Sequence, residues 1–308
     1  MQISILGSYG EGNFGDEAIL DGITVRFPKA NIVCFSHNPE LSQKLHPKLQ
    51  IAPMLPAGIR SFWKQIRNGD LKRSKEIIRH SDLVLIGGGG IFYDSKFSSG
   101  RNPIKVWHTR VKFLQKLEKS FQLYAVGVSK LEKEVSQKLM RKICKAAAKV
   151  SVRDLGSERN LRAIGVNKEI TLVRDPAFDF PTKANKKITH TFTVGISLRA
   201  WQDTQKTFQR VTKELESIEG PCQLKLIPMS IGQDDDRIVL SEFKSSLPAG
   251  LKSQTELVEI KTPQEAYQEI AGLDLLIGMR LHSLIFAKLA NVRSIPLYYD
   301  EKVREVLS

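Results

Sequence analysis

No stretch of the 308-residue chain approaches the ~20 consecutive apolar residues that would cross a bilayer. Cysteine is scarce: Cys34, Cys144 and Cys222 are odd in number and far apart, which excludes a disulfide framework and a zinc spacing. The opening MQISILGSYG carries no basic segment ahead of its apolar residues and reads as a first strand rather than a signal peptide. The cytoplasm is therefore the expected compartment. There is no internal repeat, no low-complexity tract, and no basic ribbon interleaved with aromatics, so no nucleic-acid partner is expected. Nothing calls for a metal or a cofactor.

Acidic residues are the minority charge. Thirty-three Asp and Glu stand against 47 Lys and Arg, for a net charge of +14. That excess favours an anionic partner such as a phosphorylated substrate or an acidic lipid surface. The densest basic stretch, Lys130 to Lys149, places Leu131, Val135, Leu139 and Ile143 at helical spacing, which predicts an amphipathic helix with a basic outer face. It also motivates peripheral contact with an anionic membrane.

What is present is alternation. Short β-branched runs at 2–7, 31–36, 82–87, 121–127, 149–153 and 170–173 are separated by helical periodicity at 16–26, 103–119, 132–148 and 155–164. A polar, proline-led segment at 181–190 reads as a linker. Strands at 192–198, 223–228, 256–260, 273–277 and 293–297 then alternate with helices at 204–218, 263–271 and 282–290. The pattern predicts an α/β protein of two doubly wound, Rossmann-like domains, 1–180 and 191–308, meeting at an interdomain cleft. Such sheets bind ligands beyond the carboxyl ends of their strands, so the residues just after each strand are the ones to weigh.

Gly10, Gly12 and Gly15 satisfy G-x-G-x-x-G between a strand and a helix, but the second strand ends in FSHN, with no acid to hold a ribose. The loop reads better as backbone made for close approach, with Asn13, Asp16 and Glu17 at the helix entrance. Gly87 to Gly90 follow the apolar LVLI, and Asp94 stands four residues on. In LLIGMRLHSLIFA a strand runs through Gly278 into a helix, so Arg280 and His282 lie where free N–H groups already favour an anion. A guanidinium there adds a bidentate grip for carboxylate or phosphate. Arg199 follows another strand, Arg174-Asp175-Pro176 closes the first half's last strand, and Lys302 adds a late cation. The Asp234–Asp236 triplet reads as decoration of a helix's first turn.

These segments resemble the polysaccharide pyruvyl transferase family. The matching pieces are GEGNFGDEAIL, LIGGGGIFYD, SVRDLGSERNLRAIGV, VRDPAFD, ISLRAW, IGMRLHSLIFAKLANVRSIPL and YYDEKV, in family order over nearly the whole chain. Two departures are AVGVSKLEK in place of the usual Gly-Pro after the fourth strand, and Glu301 in place of a proline. The resemblance implies a GT-B-like pair of domains and transfer of the pyruvyl group of phosphoenolpyruvate to a sugar diol as a cyclic ketal, with phosphate released. The acceptor would be a sugar or lipid-linked oligosaccharide of a cell-surface polysaccharide. Arg280, His282 and Lys302, with Arg199, would belong to the donor site. Gly12, Asn13, Asp16, Glu17, Gly89, Gly90 and Asp94 would face the acceptor.

Ketal formation needs a proton donor and a base. His282 is the expected acid, or the group that protonates the leaving phosphate; Asp16, Glu17, Asp94 and Asp175 are the base candidates. The alternatives are a nucleotide-sugar glycosyltransferase on the same frame, disfavoured by the absence of an acid in SLIFAKLANV, and a non-catalytic binder of anionic glycans. Replacing His282 or Arg280 by alanine is expected to lower turnover at least ~100-fold with the fold intact, as read by phosphate release.

Overall fold

The computed structural model describes residues 1–94, 102–182 and 191–297. The first sheet contains β1 (Gln2–Leu6), β2 (Asn31–Ser36), β3 (Gln50–Pro53), β4 (Leu83–Phe92), β5 (Gln122–Val128), β6 (Lys149–Val152) and β7 (Thr171–Leu172) in the order β3-β2-β1-β4-β5-β6-β7. The second contains β8 (Phe192–Ser197), β9 (Cys222–Leu226), β10 (Thr255–Leu257), β11 (Leu275–Gly278) and β12 (Arg293–Pro296) in the order β10-β9-β8-β11-β12. Every pairing is parallel, for instance Ile3 with Ile32 on one side and Leu83 on the other. Strands covered on both faces explain the near-continuous apolar runs such as LVLI and LLIG. Strand order reverses at β1/β4 and at β8/β11, and these are the switch points at which ligands enter such sheets.

The alternation read from the sequence is present, with helices Phe14–Arg26, Pro103–Lys116, Glu134–Ala146, Leu155–Ala163, Thr204–Glu216, Pro263–Ala271 and Leu281–Leu289 within a few residues of their expected bounds. Side chains explain several starts: Asn13, Asn102, Asp154 and Thr262 each accept a backbone N–H from the first turn. Between β2 and β4 the chain adds elements that the pattern did not foretell, namely helices Pro39–Leu45, Ile59–Arg67 and Asp70–His80 around the short edge strand β3. Their periodic runs are short and rich in charge. The glycine run also differs from expectation. It does not follow β4 but lies inside it, with Gly88 and Gly89 at φ +74° and +85°. Residues with side chains would be strained there, so the strand bends without ending.

Each sheet keeps a core of its own, and a third buried cluster joins the two halves. Ile3, Ile5, Phe14 and Ile19 belong to the same buried apolar cluster as Ile227, Met229, Leu281 and Phe286. Phe180, Tyr267 and Phe286 close it as a three-ring contact, with centroids 5.1 to 5.9 Å apart. A buried charge cluster fixes the loop after β1. Glu17 accepts the Gly10 N–H at 2.7 Å and meets His46 Nε2 at 2.8 Å, while His46 Nδ1 meets Asp21 at 2.8 Å.

Burial works against a charged His46, but its hydrogen bonds with Asp21 and Glu17 outweigh it and hold the imidazole up to about 9. The folded-state value lies above that of a free imidazole. This stabilisation is therefore fully present below about pH 6.5 and is lost as pH rises through about 9. Its size is on the order of 3 kcal/mol. In urea melts, the stability gap between the parent chain and His46→Gln should be widest at pH 6 and shrink toward pH 10. A gap that does not change with pH would contradict the charged pairing.

Candidate active site

The loop between β1 and the helix Phe14–Arg26 is built for contact with the other half of the chain. Phe14 N–H donates to the Met229 carbonyl at 2.9 Å, Ile231 N–H donates to the Gly12 carbonyl at 2.9 Å, and Asn13 forms an antiparallel bridge with Ser230. Approach this close leaves no room for side chains. A Cβ on Gly12 would stand 2.9 Å from Gly232 N, and one on Gly232 would stand 1.7 Å from the Glu11 carbonyl oxygen. A Cβ on Gly15 would stand 2.0 Å from His282 Nδ1. Gly12 and Gly15 of the G-x-G-x-x-G pattern thus seat the second half, including its histidine, against the first, while Gly10 lies against Ser36 and Asn38 of the first half.

This seating gathers a line of groups. His282 sits in the first turn of the helix Leu281–Leu289, beyond β11, with Nε2 3.9 Å from Asp175 Oδ2. Asp175 is 1 % exposed and caps the short turn Pro176–Asp179 by accepting the Ala177 N–H at 2.9 Å. Its other oxygen accepts from Arg153 Nη1 at 2.8 Å. Arg153 follows β6 and is buried beneath the glycines: Cβ atoms on Gly127 and Gly90 would lie 3.0 and 3.5 Å from its guanidinium. Asp16 reaches the same glycine run, with Oδ1 2.7 Å from where a Cβ on Gly89 would stand. Among the described residues, His282 Nε2 and Arg153 Nε are buried with no hydrogen-bond partner. Buried polar atoms are seldom left so; His282 Nε2 faces Asp175 at 3.9 Å and Arg153 Nε faces Asp154 at 3.6 Å.

Desolvation sets the protonation states. Burial pushes His282 down to about 4; Arg153 and Arg280 add to the effect and Asp175 opposes it. Its imidazole is neutral at neutral pH. Asp16 is pushed up to about 7, first by burial and then by Glu17, Glu11 and Asp175, with Arg153 in opposition. Asp16 therefore carries a proton about half the time at neutrality. Burial disfavours a charged Arg153, but Asp175, Asp154 and Asp16 outweigh it and raise its pKa. The expected roles are thus exchanged: a neutral His282 can act as base and a half-protonated Asp16 as acid, both largely but not fully buried, the pairing that acid–base chemistry uses.

The remaining expected residues are placed differently. Arg280, 9 % exposed, directs Nε at both oxygens of Asp236 at 3.1 Å and Nη2 at the Asp234 carbonyl at 3.3 Å. Asp236 also accepts the Met229 N–H at 3.0 Å. This edge of the guanidinium holds the second half's loop in place, so alanine there would leave a buried carboxylate without its cation, a change that typically costs about 3–5 kcal/mol. The expectation that Arg280→Ala leaves the fold intact is revised accordingly. Arg199 faces Asp234 at 3.4 Å and lies over the Trp201 ring. The two oxygens of Asp94 accept the Glu132 and Lys133 N–H groups at 3.1 and 2.9 Å, and Glu17 is engaged by Gly10 and His46. Asn13 Oδ1 is taken by the Gly15 N–H at 3.0 Å. These three polar side chains serve the backbone. Lys302 lies outside the described residues.

Sequence reasoning passed over Arg153. A signal was present, since Arg153-Asp154 follows an apolar strand as Arg280 does. It also passed over Glu11 and Arg110. Burial raises the Glu11 carboxyl, and Arg110 opposes the shift. Arg110 lies over the Trp107 ring and directs Nη2 at His37 at 3.4 Å, so a second charged cluster borders the first.

The fold is shared with enzymes of sugar-nucleotide chemistry. The Anabaena protein HepE, in complex with UDP-glucose, superposes with a TM-score of 0.61 at 13% identity, over 96% of this chain and 80% of that one. UDP-GlcNAc 2-epimerase from Neisseria meningitidis, bound to UDP-GlcNAc, gives 0.59 at 11% identity, over 99% and 85%. The epimerase from Methanocaldococcus jannaschii gives 0.57 at 13% identity, over 97% and 84%. At such identities the likeness concerns the fold alone, a two-domain, Rossmann-like α/β arrangement of GT-B type. No curated protein matches the chain. A family model described as polysaccharide pyruvyl transferase matches residues 13–301, which takes in Asn13, Gly15 and Asp16, the Arg153–Asp175–His282 line and the Arg280 turn; the chain is a transferase of the polysaccharide pyruvyl transferase family.

Proposed function

We propose that this protein transfers the pyruvyl group of phosphoenolpyruvate to two hydroxyls of a sugar, forming a cyclic ketal and releasing phosphate. The observation that carries the reading is the split protonation of the cleft: a neutral His282 seated against Gly15, and the adjoining Asp16, whose carboxyl burial pushes up to about 7. The acceptor is a sugar of a cell-surface polysaccharide or its lipid-linked precursor, and contact with the inner face of an anionic membrane would bring the protein to it.

Each step has a group to serve it. Asp16 gives its proton to the enol methylene, and C2 becomes oxocarbenium-like. The first sugar hydroxyl attacks C2 and its proton restores Asp16. The bond from C2 to the phosphate oxygen then breaks, and the second hydroxyl attacks the renewed cation. His282 Nε2 takes that second proton and passes it to the departing phosphate. Asp175 is a positioning residue, fixed by Arg153 and turned toward the imidazole. The donor's anionic groups face the first N–H groups of the helix Leu281–Leu289, with Arg280 and Arg199 near and Lys302 as a further cation. The Asp234 partner of Arg199 is 72% exposed, so this arginine can exchange it for substrate at small cost.

A nucleotide-sugar glycosyltransferase on this frame would be stabilised against heat by UDP- or GDP-sugars and not by phosphoenolpyruvate; the opposite preference is expected. In a phosphate-release assay His282→Ala and Asp16→Asn should each lose at least ~100-fold in kcat/KM. The parent profile should rise through about pH 4 and fall above about pH 7, because it needs His282 unprotonated and Asp16 protonated. Asp16→Asn should lack the fall near pH 7, so the ratio of its kcat/KM to the parent's, in which the substrate's own ionisation cancels, should rise above pH 7. Retention of that limb would assign the proton donor elsewhere.

A further inference from the structure

The helix Ile59–Arg67 turns an apolar face outward. Ile59, Phe62, Trp63 and Ile66 recur at i, i+3, i+4 and i+7, the spacing of a single helical face that ordinarily packs on a core. Here no residue of the helix is buried: Ile59 is 79% exposed, Trp63 59%, Ile66 41% and Phe62 39%. Beside this face runs a groove of about 390 Å³, floored by Pro56 and Phe113. Scattered exposed apolar residues are ordinary, but a contiguous patch at helical spacing marks a surface with a partner.

The surrounding charge says what kind. IRSFWKQIR carries Arg60, Lys64 and Arg67 and no acid. The neighbouring helix Pro103–Lys116 also lacks Asp and Glu, and it brings exposed Lys112 and Lys116 to the groove. Lys142, on the helix Glu134–Ala146, acts on the same His108 as Lys112, so the basic field continues beyond the patch. An apolar face bearing a Trp and a Phe, with only cations on its own helix and along its groove, has the character of a helix that lies in a bilayer interface. A protein partner would more often mix charges of both signs around its apolar centre.

The position suits the cleft. The helix follows the carboxyl end of β3, and the site residues Asp16 and Arg153 follow the carboxyl ends of β1 and β6 in the same parallel sheet. The connection is also physical: the Leu55 carbonyl, just ahead of the helix, accepts from Arg110 Nε at 3.2 Å, and Arg110 directs Nη2 at His37 in the cluster that borders the site. Among the described residues no helix is long and apolar enough to cross a membrane, so contact would be peripheral.

The geometry points to the face of Ile59, Phe62, Trp63 and Ile66, with its rim of Arg60, Lys64, Lys112 and Lys116, as the surface that docks the protein on an anionic lipid bilayer with the acceptor side of the cleft toward the lipid. This deepens the proposal of a lipid-linked acceptor and rests on it for its purpose, but binding to vesicles does not depend on turnover. It also moves the expected membrane contact from the helix 132–148 to the helix Ile59–Arg67, the former becoming an outlying part of the basic field.

The test is sedimentation of the full chain with vesicles of phosphatidylcholine alone or with phosphatidylglycerol, at low and high salt. Binding should need the anionic lipid and weaken with salt, since the Debye length shortens to about 3 Å at 1 M. Phe62→Ser/Trp63→Ser, whose side chains are exposed, should keep the parent melting temperature and bind at least tenfold more weakly; so should Lys112→Glu/Lys116→Glu. Phosphate release with a short water-soluble acceptor should be unchanged in both, which separates failure of docking from failure of the proposed reaction. Equal binding of the parent to both lipids, no binding at all, or full binding by the Phe62/Trp63 variant would overturn the proposal. So would a parent dimer in sedimentation velocity that this variant dissolves, since the face would then belong to a second copy.

Discussion

The site depends on one contact, the bare backbone of Gly12 to Gly15 pressed against Met229 to Gly232 and the ring of His282. Two backbone hydrogen bonds of 2.9 Å and a shared apolar cluster hold it closed. Because no side chain intervenes, His282 is left with only 12% of its side chain exposed and is set beside the residue that precedes Asp16. The seating acts at a distance as well. Asp236 ties both the Met229 N–H and the Arg280 guanidinium, so the loop that meets the glycines and the helix that bears the histidine are anchored to the same carboxylate.

Desolvation then does the electrostatic sorting. It acts on His282 and Asp16 alike by disfavouring charge, and because one is a base and the other an acid it moves their pKa values in opposite directions. The nearby ions modify this without reversing it. Arg153 is held by Asp175, so its charge is compensated and its reach toward the cleft is limited. The result is a largely desolvated pair set within a line of compensated ions, suited to moving protons around a substrate that brings its own negative charge.

The parallel α/β plan could be read from sequence because its signal is periodic: apolar strands fully covered by helices, and switch points at glycine or at Arg-x-His. The region from 39 to 80 could not, because a seven-residue helix and a four-residue edge strand give too few periods to see. Of the site, His282, Asp16 and Asp175 were visible as chemistry at strand ends. Their partners were not, since Arg153 finds Asp175 twenty-two residues away and Arg280 finds Asp236 forty-four residues away. The glycines were seen, but their purpose was not. A literal dinucleotide pattern proved to be an interface, which only the opposing backbone of Gly232 reveals. Asp94 and Glu17 show the converse, carboxylates that look reactive in a motif and in the fold satisfy N–H groups and an imidazolium.

The central claim is that closure of the two halves keeps His282 neutral in a dry cluster. The most direct measurement is an NMR titration of its imidazole, assigned by the signal lost in His282→Gln. The account predicts a ring that stays unprotonated down to about pH 4. A midpoint near 6.5, that of an imidazole open to water, would contradict it.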